Sequence, residues 1–181
     1  MKKVLGFLAV TALLVFCVRA DEAVVSAVHG TITKLDSATK TLIVKSKDGV
    51  EHTVHFADKT AVWGADKTAA GAKDAFKGLS EGSEVVVHYT AKGTENTATE
   101  VEKVGKGGLK SIDGTVTKVG EGGKSVVVKA ADGTEQTFDV AGHDTAEAAK
   151  GIGKGTAKAG KTTVYYTEEG GKKVAHFFEK L

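Results

Sequence analysis

Two stretches of this chain lie over each other without a gap, and nothing else in the sequence restricts the fold as much. Gly30–Phe56 reads GTITKLDSATKTLIVKSKDGVEHTVHF and Gly114–Val140 reads GTVTKVGEGGKSVVVKAADGTEQTFDV, with 11 of 27 positions identical. Further on, Gly78–Val104 matches Gly155–Leu181, with Val87-His88-Tyr89-Thr90 against Val164-Tyr165-Tyr166-Thr167. The offset is 84 in the first block and 77 in the second, so the second copy is seven residues shorter between them. A match of this kind predicts one structural unit used twice. It also supplies an internal control, because a feature found in one copy only is not demanded by the unit's fold.

Each copy predicts five strands and one helix. Val28, Gly30 and Ile32 alternate with polar residues, as do Ile112, Gly114 and Val116. The second strand covers Thr41–Lys45 or Ser125–Lys129, and the third Val50–Phe56 or Thr134–Val140. Between them stand Asp48-Gly49 and Asp132-Gly133. Asp-Gly between alternating runs marks a hairpin, because both turn residues tolerate a positive φ. The Ala- and Lys-rich stretches Ala65–Leu79 and Thr145–Ala159 read as partly helical, weakened by their glycines. Glu84–Thr90 and Lys161–Thr167 form the fourth strand, Thr97–Val104 and Val174–Leu181 the fifth. The expected class is therefore all-β with a short helix. Two tandem five-stranded barrels of β-β-β-α-β-β order would occupy residues 21–107 and 108–181. That order is the OB-fold order. In it Val54, Phe56, Val85, Val87 and Tyr89 point inward with Val28, Ile32, Leu42 and Val44.

The chain resembles a group of small exported bacterial OB-like domains whose pattern is G-T-V-T-x-[VL], an apolar strand, Asp-Gly-Thr, then a Val/Thr-rich hairpin. Its carriers are Gly30–Leu35 with Asp48-Gly49, and Gly114–Val119 with Asp132-Gly133-Thr134. The resemblance implies a fold and a compartment, and no mechanism.

The start of the chain points to the same compartment. Met1-Lys2-Lys3 precedes an apolar run from Val4 to Val18, and Val18-Arg19-Ala20 offers small or apolar residues around a cut after Ala20. This is the layout of a secretory signal over residues 1–20. The run is shorter than the roughly 20 residues a spanning helix needs. Lipidation at Cys17 is disfavoured by Phe16 before it. A periplasmic or secreted protein beginning at Asp21 is expected. Loss of Lys2, Lys3 and Arg19 leaves 22 of the 25 basic residues, all lysine, against 23 acidic ones. Cys17 leaves too, so no disulfide can brace either unit.

Most chemistry-bearing patterns fail on context. Gly155–Thr162 spells G-x-x-x-x-G-K-T. A P-loop must follow a strand and open a helix, whereas this segment opens a predicted strand, and Gly78–Val85 has no lysine at the matching place. His52 and His55 stand an odd number apart on a strand and so face opposite sides. The matching residues are Gln136 and Asp139. No nucleophile–base arrangement is visible. Glu51 and Glu135, repeated on strand three, would be the first choice if an active site existed. The second-and-third-strand faces, which carry nucleic acid or sugar in many OB-folds, offer Ile43, Lys45, Glu51, Thr53 and His55, or Val127, Lys129, Glu135, Thr137 and Asp139. Neither holds an aromatic side chain for base stacking, and the near-neutral charge lacks a phosphate-binding footprint. Trp63, found in the first copy only, reads as a cap on the core or as a binding residue. The expectation is thus a non-enzymatic binding or structural module of the cell envelope. It has no cofactor or metal, and binds neither nucleic acid nor nucleotide. Its partner would be an envelope protein or a glycan. The candidate surface is Trp63, Lys45, Glu51, His55, Lys129 and Glu135. The alternatives are carbohydrate or peptide binding at the Trp63 loop, and a hydrolase or metal-handling protein.

Overall fold

The computed structural model describes residues 25–63, 69–70, 76, 78–105, 107–154 and 161–181. The proposed signal segment, the Trp63 loop and most of the P-loop-like segment lie outside the described residues. Among the described residues eleven strands and one α-helix follow one another in two β-structures.

The first contains β1 (Val25–Asp36), β2 (Thr41–Ser46), β3 (Glu51–Trp63), β4 (Ala69–Ala70), β5 (Glu84–Lys92) and β6 (Glu95–Lys103). Their order is β2-β1-β5-β6-β3-β4, and β2 also pairs with β3, so five strands come round on themselves with β4 added outside. The second is a closed barrel of β7 (Lys110–Val119), β8 (Ser125–Ala130), β9 (Glu135–Val140), β10 (Lys161–Glu169) and β11 (Lys172–Lys180). Helix α1 (His143–Lys154) connects β9 to β10. The barrel therefore has the β-β-β-α-β-β order that its sequence predicts.

The first structure adds a strand to that order. Most of Ala65–Leu79, where a helix is expected, lies outside the described residues; within it β4 pairs with the end of β3, Val62↔Ala70 and Trp63↔Ala69. The cause is the length of β3. It runs 13 residues, pairs with β2 along its first half and with β6 along its second, and leaves an edge that β4 covers. Strand β9 has only 6 residues, and the chain turns directly into α1.

Alternation places the cores. Val28, Ile32, Leu42, Val44, Val54, Phe56, Val85 and Val87 are buried together, with Tyr89 packed against them. Val116, Val126, Val128, Phe138, Val164 and Tyr166 fill the barrel, and α1 closes it with Ala149 and Ile152. Those two are three residues apart, on one face of the helix. Gly30 and Gly114 recur because β1–β2 and β7–β8 approach too closely for a side chain. A methyl on Gly114 would come within 2.6 Å of the Lys129 carbonyl oxygen.

Candidate functional site

The outer face of the β5–β6 hairpin carries His88, Glu100 and Glu102. By alternation these point away from the first core, toward what a lone barrel would expose to water. Here they are 3%, 1% and 1% exposed, because α1 and β11 of the second barrel lie on them. Burying ionisable groups is costly unless they are paired and hydrogen-bonded, and the seam supplies partners for each.

Glu100 receives the start of α1. The backbone N–H groups of His143 and Asp144 donate to its carboxyl oxygens at 3.1 and 2.9 Å. The first N–H groups of a helix have no partner within it and carry the positive end of its dipole. A side chain of the first β-structure thus caps a helix of the second. Gly142 permits this approach. Its φ is +61°, and a methyl there would overlap the Glu100 carboxyl.

Glu102 is bonded through Oε2 to His176 Nδ1. His176 Nε2 lies 2.9 Å from Thr167 Oγ1. On the other side, His88 Nε2 is 3.7 Å from Glu102 Oε1 and donates to the His176 carbonyl at 3.1 Å. The same carbonyl accepts from Thr145 Oγ1 at 2.5 Å. Burial is the main cause that pushes the Glu102 carboxyl up to about 8, against the pull of His88. Burial likewise lifts Glu100 to about 7; the Asp144 N–H opposes this, while the charges of Glu102 and Asp144 add to it. Both acids retain a proton well above the usual carboxylate range.

One wall of this network opens into a pocket of about 360 Å³. Trp63, Val140, Ala146 and Val174 provide apolar walls, Glu102, Thr167 and His176 a polar one, and Lys103 and Lys124 flank it. Lys124 is exposed. The size and the apolar lining with a few polar groups are those of small-molecule sites.

Glu102, His176 and Thr167 have the connectivity of an acid–base–hydroxyl relay. Two features of the described residues bear on such chemistry. The Thr167 hydroxyl belongs to a residue only 2% exposed, and the N–H groups of the α1 start, suited to an oxyanion, are given to Glu100. No group of three or more His, Cys, Asp or Glu side chains is placed to hold a metal ion among the described residues.

Of the residues singled out in the sequence, only Trp63 belongs to this site. It ends β3 half-buried, and its Nε1 is buried without a hydrogen-bond partner among the described residues. Lys45 stands opposite Glu51 across β2–β3, and Lys129 opposite Glu135 across β8–β9. All four are exposed cross-strand neighbours of opposite charge, and none of them lines this pocket. His55 is exposed with Thr41 Oγ1 3.4 Å from its Nδ1, while His52 is half-buried and faces Ser46. Lys161 opens β10 rather than a helix.

Sequence reasoning missed Glu100, Glu102 and His176. One signal was present. At the offset of 77, His88 and Glu100 correspond to Tyr165 and Phe177. In both barrels these are directly paired residues, His88↔Glu100 and Tyr165↔Phe177. The second pair is a stacked aromatic couple at 4.1 Å. A cross-strand position that is acid–imidazole in one copy and aromatic in the other is not set by the unit's own fold.

No protein-family model matches the chain, and no curated protein matches it. Among solved structures it is similar to the Ag(I) form of CusF, with 9% identity over 44% of this chain and 97% of that one and a TM-score of 0.34. It is also similar to a Cu(II)-bound tryptophan-to-alanine variant of CusF from Escherichia coli, with 10% identity, 45% and 92% coverage and a TM-score of 0.34. At that level the likeness says nothing of what this chain binds.

Proposed function

We propose that this chain is an exported, non-enzymatic binding module whose ligand occupies the pocket between its two β-structures. The observation that carries the reading is the pocket's composition. Its apolar walls, including the chain's single tryptophan, adjoin a polar wall, and two lysines flank the space. Such a site suits a small amphipathic molecule with an apolar body and an anionic or acceptor group directed to Lys103 and Lys124. Apolar burial supplies most of the affinity, at about 25 cal/mol per Å² removed from water. The lysines orient the polar end. Export, as the signal-like layout of residues 1–20 suggests, would bring the protein to where such molecules arrive from the surroundings.

Trp63 makes the test direct, because it is the only tryptophan and lines the site. The mature protein is titrated with 8-anilinonaphthalene-1-sulfonate, an aromatic sulfonate, while Trp63 fluorescence is followed. Saturable quenching with matching dye enhancement is expected, and Ala146→Leu, which fills the pocket from α1, should abolish it. Absence of saturable quenching in the native protein, or equal binding by Ala146→Leu, refutes the assignment.

A further inference from the structure

The wall of the pocket is also the joint between the two β-structures, and that joint gathers an unusual number of titratable groups. β6 contributes Glu100 and Glu102, and β5 contributes His88. β11 contributes His176. From α1 come Asp144, one of whose carboxyl oxygens is buried without a hydrogen-bond partner among the described residues, and His143 at the pocket edge. Glu147, one turn on, lines the far side of the joint with His88 and pairs with Lys150. Lys103 and Lys124 stand along the pocket, and Lys103 donates to the Gly78 carbonyl at 3.0 Å. Among the described residues no lysine forms an ion pair with Glu100, Glu102 or Asp144.

This composition has a consequence for charge. Imidazole can be neutral or cationic, and its positive charge belongs to the acid side of the physiological range. Glu100 and Glu102 therefore stand beside the imidazoles of His88 and His176, and among the described residues no lysine is ion-paired with either carboxyl. When protons are available, one proton shared between Glu102 Oε2 and His176 Nδ1 leaves that pair without net charge. When they are withdrawn, Glu100 and Glu102 are left as neighbouring anions, each only 1% exposed. Like charges in a low-dielectric site repel strongly, and separation of the two β-structures is the direct way to rehydrate them.

We propose that the joint is a proton-operated latch: it holds the second barrel on the first while Glu102 and His176 share a proton, and releases it when the seam carboxyls are all charged. The pocket exists only in the docked arrangement, so ligand binding is tied to the same proton. This deepens the binding-module reading and rests on it for the ligand, while the latch itself does not need one. Burial lifts Glu102 to about 8 and Glu100 to about 7, which places release on the alkaline side of neutrality. An exported protein is exposed to the pH of its surroundings and has use for such a device.

The test needs no ligand. Small-angle scattering of the mature chain measures its radius of gyration across a pH series spanning neutrality to mildly alkaline, with far-UV circular dichroism on the same samples. The expected result is an increase in radius centred near the Glu102 value of about 8, with the strand signal retained. Glu102→Gln, which keeps a hydrogen-bonding group but cannot ionise, should stay compact through the series. His176→Gln serves as a second variant: it removes the proton-sharing imidazole, so release should move to lower pH. A radius that stays constant in the native chain, or an expansion unchanged in both variants, overturns the latch. Dye titration on the acid side of the transition separates this from the binding reading. Saturable binding with no expansion removes the latch alone, and expansion without dye binding removes the ligand site alone.

Discussion

The Asp144 backbone N–H donates to Glu100 Oε2 at 2.9 Å, so a strand residue of one β-structure caps the helix of the other. The contact joins residues 44 apart in sequence and couples local helix stability to the docking of the two halves. Removing it takes away the side-chain acceptor of the first α1 N–H groups in a half-buried place. Glu100→Ala should cost about 1–2 kcal/mol, the range for a lost helix cap. Glu100→Gln, which keeps an acceptor oxygen, should cost less. Urea denaturation followed by circular dichroism measures both, and equal stability of all three proteins would contradict the capping role.

The raised carboxyls give the pH dependence a definite sign. Folding lifts Glu100 from 4.5 to about 7 and Glu102 from 4.5 to about 8. Between the unfolded and folded values the native chain holds protons that the unfolded chain has released. Stability is then fully present below the unfolded value and falls as pH rises through the folded ones. Each group adds a slope of at most about 1.4 kcal/mol per pH unit within its window. Urea midpoints should therefore decline from mildly acid to mildly alkaline solution. Glu102→Gln should flatten the part of the decline that reaches highest in pH. Midpoints that climb over this range would show that the seam carboxyls ionise as ordinary surface acids do.

Gly142 should tolerate a side chain much less well than Gly49 does. Its φ of +61° and the Glu100 carboxyl beside its Cα both resist a side chain. Gly49 has a φ of +86° but open space around it. Alanine at Gly49 then carries only the left-handed penalty of roughly 1–2 kcal/mol, whereas Gly142→Ala adds displacement of the helix cap and should exceed it. Thermal unfolding of the two variants ranks them, and the reverse order would be inconsistent with the seam geometry.

The cores were legible because strand alternation is a local signal. Val54, Phe56, Val85 and Val87 declare an inward face within a few residues, and Asp48-Gly49 and Asp132-Gly133 declare the hairpins. The seam was not legible for the same reason. Glu100, Val101 and Glu102 alternate as any half-exposed strand does, and that pattern points the glutamates at solvent. What covers them is α1, which begins more than 40 residues later, and no periodicity carries information over such a distance. The β3 extension to Trp63 was missed because Asp58-Lys59-Thr60 reads as polar loop. In the fold, Thr60 is buried and its hydroxyl donates to the Ala98 carbonyl at 2.6 Å, which carries the strand across the break in its pairing with β6.

Nucleic acid and nucleotide should not bind, for a reason that lies in the strand register. Lys34, Lys45, Lys118 and Lys129 recur in both copies and are the candidates for a basic patch. All four are exposed. Lys45 and Lys129, however, each stand across a strand pair from a glutamate, Glu51 and Glu135. Opposite charges at such positions cancel most of the field a phosphate would feel, and non-specific affinity for nucleic acid depends on that field and collapses with salt. The P-loop-like letters fail for a different reason: Lys161 begins β10, and its carbonyl accepts from the Leu181 N–H at 3.0 Å in the sheet. A phosphate cradle needs a helix N-terminus at that place. Titration of the mature protein with labelled single-stranded DNA and with ATP should show no binding at physiological salt, and Lys161→Ala should change neither result. Binding that persists at that salt and is lost in Lys161→Ala would establish a phosphate site that the register argument denies.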